Sequence, residues 1–128
     1  MNSNDIDRFK FSFRNAFAGI QTAYRTQKNL KIHMFIGLIM ITAGFLLNIT
    51  NSDWLILILT IMLVIISELF NTALEFTVDL FSPDFSLQAK KAKDVSAAGV
   101  LVTSLFAILI GILIFLPKIL KIFSNLYK

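Results

Sequence analysis

The sequence predicts an all-α membrane protein, three transmembrane helices preceded by an amphipathic interfacial helix, in a single domain over residues 1–128. Three observations carry this. Hydrophobic residues make up 56% of the chain and charged ones 16%, whereas soluble domains sit near 45–50% and about 25%. The apolar residues fall into three blocks long enough to cross a bilayer. Little polar sequence remains to cover those blocks in water.

The first element, residues 6–27, is not a span. Phe9, Phe13, Phe17, Ile20 and Tyr24 recur at spacings of three and four, with Arg8, Lys10, Arg14 and Arg25 among them. That pattern suits a helix lying in the membrane interface, or one packed on the bundle. Met1 to Asp7 holds two acids and no apolar core, unlike a cleavable signal, so the whole chain is expected to be retained.

The first span covers residues 30–49, around the apolar run from Ile32 to Ile49, with His33 near its start as a boundary residue. The second covers 54–80. It is apolar or Thr from Trp54 through Ile66 and then turns polar. The third covers 94–116, carries no charge from Val95 to Leu116, and is ended by Pro117. Lys and Arg set the orientation. Arg8, Lys10, Arg14, Arg25, Lys28 and Lys31 precede the first span, and Lys90, Lys91 and Lys93 follow the second. The turn Thr50-Asn51-Ser52-Asp53 has none. The N-terminus is therefore expected in the cytoplasm, with Lys118, Lys121 and Lys128 against nine charges on the other side.

Function is written on the second span. Glu68, Asn71, Glu75 and Asp79 lie at i, i+3, i+7 and i+11, within roughly an 80° arc of one helix face. At 1.5 Å per residue from Trp54, Glu68 lies about 21 Å along the helix, still in hydrocarbon. A carboxylate at that depth is costly and marks a functional site. Burial would raise its proton affinity, as a general base near neutrality requires. Glu75 falls near the cytoplasmic boundary. Asp79 lies beyond it and reads as the solvated end of the helix. The linker closes with Lys90-Lys91-Ala92-Lys93-Asp94, then Ser96-Ala97-Ala98-Gly99. A lysine at a helix start can meet phosphate, and small residues allow close helix packing.

Other chemistries are excluded. The chain has no cysteine and one histidine, so no thiolate nucleophile, disulfide or paired-histidine zinc site can exist. Neither Gly-x-x-x-x-Gly-Lys nor Gly-x-Gly-x-x-Gly occurs. The net charge of +4 lies outside the apolar blocks and suits an anionic membrane surface better than nucleic acid.

Glu68-Leu-Phe-Asn71-Thr-Ala-Leu-Glu75-Phe-Thr-Val-Asp79 resembles the signature of the small bacterial diacylglycerol kinases, a family that includes undecaprenol kinases. Ala92-Lys93-Asp94-Val-Ser-Ala-Ala resembles its second motif, and Asn29-Leu30-Lys31-Ile32-His33 looks like the Asn-Phe-Arg-Ile-His of the undecaprenol-kinase-like branch. The resemblance runs from about Arg8 to Leu116 with the motifs in order. It implies a homotrimer in the bacterial inner membrane that transfers the γ-phosphate of Mg-ATP to a lipid hydroxyl, diacylglycerol or undecaprenol, at the cytoplasmic interface. It implies Glu68 as general base, Asn71 as substrate-positioning residue and Glu75 as the ligand of Mg²⁺. It also implies ATP contacts at Arg8, Gln27, Glu75, Asp84, Phe85, Ser86, Lys93 and Asp94. There is one departure. The family commonly has a second metal-holding acid where this chain has Gln27. An amide oxygen can ligate Mg²⁺ but brings no charge, so weaker metal binding is expected. Two rival readings remain at this stage, a small proton-coupled transporter using an intramembrane acid and a catalytically silent membrane scaffold.

Overall fold

A computed structural model describes residues 2–84 and 86–126. The chain forms four helices: α1 (Ser3–Thr26), α2 (Lys28–Leu46), α3 (Asn51–Phe81) and α4 (Leu87–Leu126). Three of them, α2, α3 and α4, are long and apolar enough to cross a membrane. No strand occurs among the described residues.

α1 opens with a capping box in which Asn2 receives the amide of Asp5 and the Asp5 carboxylate takes the Asn2 amide, Asn2 N–H to Oδ2 at 3.3 Å. Among the described residues of this helix only Ala23 is buried. Phe9, Phe13, Phe17, Ile20 and Tyr24 are exposed, Phe17 by 67%, so the apolar face is not spent on the bundle. Such a face fits the membrane interface of the two alternatives the periodicity left. Gln27 joins α1 to α2 in an extended conformation, φ −100° and ψ 116°. One non-helical residue thus breaks what would otherwise be a continuous rod.

The turn between α2 and α3 is tightly specified. Asn48 has φ 46°, the left-handed conformation that Asn tolerates better than branched residues. The Asn48 amide donates to the Phe45 carbonyl and the Ile49 amide to the Gly44 carbonyl, at 3.3 and 3.2 Å. This is a Schellman closure of α2. Thr50 then caps α3. Its hydroxyl accepts from the Asp53 amide at 3.2 Å, and its own amide donates to Asp53 Oδ2 at 3.0 Å. Gly44 makes room at this corner: a Cβ there would lie 2.8 Å from Trp54 Cη2, and the Trp54 ring is braced by Phe45 with centroids 4.6 Å apart.

α3 is the centre of the bundle. It packs most extensively on α4 and next on α2, while α2 and α4 hardly meet. Ile49, Leu57, Ile114 and Phe115 form the buried core near the α2–α3 turn. Between α2 and α4, floored by α3, lies an open apolar groove of about 580 Å³. Several hydroxyls inside the spans are returned to the backbone, as membrane helices favour. Thr60 donates to the Ile56 carbonyl at 2.7 Å and Thr72 to the Glu68 carbonyl at 2.8 Å.

The third span differs from expectation. α4 begins seven residues earlier, at Leu87, and continues through Pro117 to Leu126. Proline removes one backbone donor but does not have to end a helix. The continuation brings Lys118 to 3.8 Å from Asp53. That contact gives one of the three C-terminal lysines a carboxylate partner at the α2–α3 end.

Candidate functional site

The three acids on one face of α3 each meet a different part of the chain. Glu68, the deepest, is 1% exposed. His33 on α2 brings Nε2 to 3.3 Å from its Oε1. The approach is electrostatic rather than a directed hydrogen bond, because Oε1 still lacks a donor. Two helical turns on, about 10 Å by helix rise, Glu75 is half-buried. Its Oε2 accepts from Gln27 Nε2 and its Oε1 from Asn71 Nδ2, both at 3.0 Å. Asp79 accepts from Lys93 Nζ of α4 at 2.7 Å. Thus α2, the α1–α2 junction and α4 are each tied to α3 by one of its carboxylates.

These contacts follow from local structure. The interhelical approach at Gly37, where a Cβ would meet Ile61 at 3.1 Å, holds α2 near α3. Leu30 is buried and anchors the first turn of α2, so His33 three residues on faces α3. The extended break at Gln27 turns its side chain to Glu75 rather than continuing the α1 spiral.

Among the described residues three buried oxygens are unsatisfied, Glu68 Oε1, Asn71 Oδ1 and Ser104 Oγ, the first two one helical turn apart on α3. Buried acceptors without donors are rare in folded proteins. Two in one cluster, with His33 also lining the apolar groove, make a site prepared for a hydroxyl or a cation. Nearer the helix ends, Lys93 Nζ donates to Asp79 Oδ1 and pairs the two charges. This pair is largely exposed.

A divalent ion tests the donor set. Among the described residues no three His, Cys, Asp or Glu side chains gather as a metal cage. Mg²⁺ commonly takes one or two carboxylates and completes its shell with phosphate and water. The Glu75 carboxylate beside the unpaired Asn71 Oδ1 fits that mode. Gln27 meets Glu75 through its amide nitrogen, and so supports the carboxylate in this arrangement. A half-turn of its amide would present oxygen.

Other expected site residues stand apart. Arg8 is exposed on α1, nineteen positions before Gln27 and therefore about 28 Å along the helix. It lines a shallow depression with Asn4, Asp7 and Phe11. Asp84 is exposed, and its carbonyl accepts from the Ser82 hydroxyl at 3.3 Å. Ser86 caps α4, its hydroxyl accepting the Ala89 amide at 3.4 Å. Asp94 is exposed and forms no ion pair among the described residues. Phe85 lies outside the described residues.

Sequence reasoning missed two partnerships. His33 reads as a boundary residue and proves to be the neighbour of Glu68. Asp79 reads as a solvated helix end and proves to hold Lys93. One signal for His33 was available: it lies sixteen residues before Ile49 and Glu68 fourteen after Trp54, so the one histidine shares a membrane depth with the deep acid.

Comparison with known proteins agrees with this architecture. A family model described as prokaryotic diacylglycerol kinase matches residues 14–115. The chain is 39% identical over 116 residues to an undecaprenol kinase of Bacillus subtilis (strain 168), covering 91% of this chain and 94% of that protein. It is 43% identical over 112 residues to a diacylglycerol kinase of Synechocystis, covering 87% of this chain and 64% of that protein. With a diacylglycerol kinase of Pseudomonas aeruginosa it shares 30% identity over 84 residues, 66% of this chain and 68% of the relative.

Proposed function

The chain belongs to the prokaryotic diacylglycerol kinase family, and on that premise we propose that this lipid kinase transfers the γ-phosphate of ATP to the primary hydroxyl of undecaprenol, with Glu68 as general base. It is a bacterial membrane protein. In our reading it sits in the cytoplasmic membrane with the N-terminus and the α3–α4 loop inside.

The observation that carries the reading is Glu68 Oε1, a buried acceptor with no donor, whose neighbour His33 lines the apolar groove. A lipid whose hydrocarbon occupies that groove brings its hydroxyl to a carboxylate able to accept its proton. The hydroxyl oxygen then attacks the γ-phosphorus and its proton passes to Glu68. The bond from the γ-phosphorus to the β–γ bridging oxygen breaks, and ADP leaves. Asn71 Oδ1, also buried without a donor one turn from Glu68, helps place the hydroxyl. Mg²⁺, when bound with ATP, neutralises charge on the phosphates. Glu75 is the carboxylate that would hold it, with Gln27 and Asn71 steadying that carboxylate.

Lys93 exchanges Asp79 for phosphate when ATP binds. Both are charged partners near the polar end of α3, and the trade of one anion for another leaves the ammonium paired. Arg8, Asp84, Phe85, Ser86 and Asp94 complete the nucleotide contacts in a homotrimer. The about 28 Å of α1 separating Arg8 from Gln27 favours an assembly over a lone protomer. Undecaprenol is favoured over diacylglycerol by Asn29-Leu30-Lys31-Ile32-His33 and by the near-complete two-way coverage with the Bacillus relative.

The test uses purified protein in detergent with γ-labelled ATP and Mg²⁺, offering undecaprenol and diacylglycerol in parallel. Label should pass to undecaprenol at the higher kcat/KM. Preference for diacylglycerol would overturn the substrate assignment. Label on neither lipid would overturn the reading as a whole.

A further inference from the structure

The mechanism above uses Glu68 as base but assigns nothing to the side chain beside it. His33 is the one histidine of the chain, and it comes from a different helix to within 3.3 Å of the base. Its side chain is 22% exposed against 2% for that of Glu68. It also lines the apolar groove. So the imidazole touches two regions that meet at the transfer point, the carboxylate and the hydrocarbon channel.

A buried carboxylate needs its orientation fixed if one oxygen is to receive a proton from a hydroxyl arriving from one direction. The backbone of α3 does not supply this, since Glu68 is attached through three rotatable bonds. Asn71 and Gln27 do not supply it either, because both donate to Glu75. The remaining polar group at Oε1 is the His33 ring nitrogen.

We propose that His33 is a positioning residue of the phosphoryl transfer: from α2 its imidazole sets the direction of the Glu68 carboxylate on α3 at the head of the apolar groove. The inference rests on Glu68 being the base. His33 does not touch the phosphates and is not consumed. The hydroxyl proton goes to Glu68, and the imidazole keeps that carboxylate aimed before and after. In the structure Nε2 faces Oε1 at 3.3 Å without hydrogen-bond geometry; a neutral imidazole with hydrogen on Nε2 becomes a donor to that oxygen on a small ring rotation and leaves the groove open.

The experiment compares wild type with His33→Leu, His33→Gln, His33→Asn, Glu68→Gln and the double variant His33→Leu/Glu68→Gln. Each is purified in detergent and assayed with labelled ATP, Mg²⁺ and undecaprenol. His33→Leu should lower kcat about 10- to 100-fold, the scale of a misaligned catalytic group, with KM for ATP within about twofold of wild type. His33→Gln keeps an N–H donor at similar reach and should recover kcat to within about fivefold of wild type. His33→Asn, one methylene shorter, should not. Where the leucine variant fails to fold, the Gln–Asn contrast decides. The double variant should be no slower than Glu68→Gln alone, because a residue acting only through the base loses its effect when the base is gone. Equal kcat for His33→Leu and wild type overturns the inference and leaves the kinase reading standing. So does a double variant slower than Glu68→Gln by the full leucine factor, the mark of a merely structural histidine. Full activity in Glu68→Gln, or an inactive wild type, overturns both together.

Discussion

Replacing Gln27 with glutamate tests the metal end of the site. In the structure Gln27 Nε2 donates to Glu75 Oε2 at 3.0 Å. The Gln27→Glu variant removes that donor and sets two carboxylates against each other. Without metal, the lost hydrogen bond to a charged acceptor costs about 1.5–3 kcal/mol. Two unit charges relaxed to about 4 Å repel by about 4 kcal/mol at an effective dielectric of 20. Glu75 is only half-buried, so solvent screening lowers this second figure and the sum is a ceiling. With Mg²⁺ the sign reverses, because a second carboxylate replaces water or phosphate in its shell. A gain of about 1.4 kcal/mol in ion binding is a tenfold fall in the Mg²⁺ midpoint. The assay is lipid phosphorylation titrated with Mg²⁺ at fixed ATP, paired with thermal unfolding in EDTA and in Mg²⁺. We expect the midpoint to fall about tenfold, and the variant to melt below wild type in EDTA but recover in Mg²⁺. An unchanged midpoint would refute the assignment of this carboxylate pair to the metal.

Other perturbations address the nucleotide and the packing. Lys93→Met should raise KM for ATP about tenfold through loss of a phosphate partner. Asp79→Asn should leave thermal stability nearly unchanged, within about 0.5 kcal/mol, because the pair it breaks is largely exposed; steady-state kinetics and melting curves check the two. Gly44→Ala and Gly19→Ala should move stability in opposite directions. At Gly44 a Cβ meets Trp54 at 2.8 Å, and overpacking of about 1–3 kcal/mol outweighs a propensity gain of about 1 kcal/mol. At Gly19 nothing lies within 4 Å, so only the gain remains. Thermal unfolding of the two variants measures the contrast.

The architecture was legible because the bilayer imposes its own rule. Backbone groups in hydrocarbon must be satisfied within the segment, so long apolar runs read directly as helices. The polar stripe was legible for the same reason, since acids inside such a run have few explanations. Boundaries were less so. Pro117 was a sound stop signal by local rules, yet α4 runs on to Leu126, held at that end by Lys118 near Asp53. The partners of the acids were hidden because they depend on how helices face each other. Nothing in the spacing of α3 says that Asp79 meets Lys93 fourteen residues later, or that Gln27 turns its amide to Glu75. Those contacts exist because α1 breaks at one extended residue and α4 starts early, and both are tertiary facts.

The proposed phosphoryl transfer depends on Glu68 as the base for a lipid hydroxyl. The direct measurement is the rate of label transfer from γ-labelled ATP to undecaprenol by Glu68→Gln, at saturating Mg²⁺ and lipid. Glutamine keeps the shape and polarity of the side chain and removes its ability to accept the proton. With Glu68 as base, kcat should fall about 10²- to 10⁴-fold, the contribution of a positioned general base, with thermal stability held. A variant retaining kcat within about threefold of wild type would contradict that role.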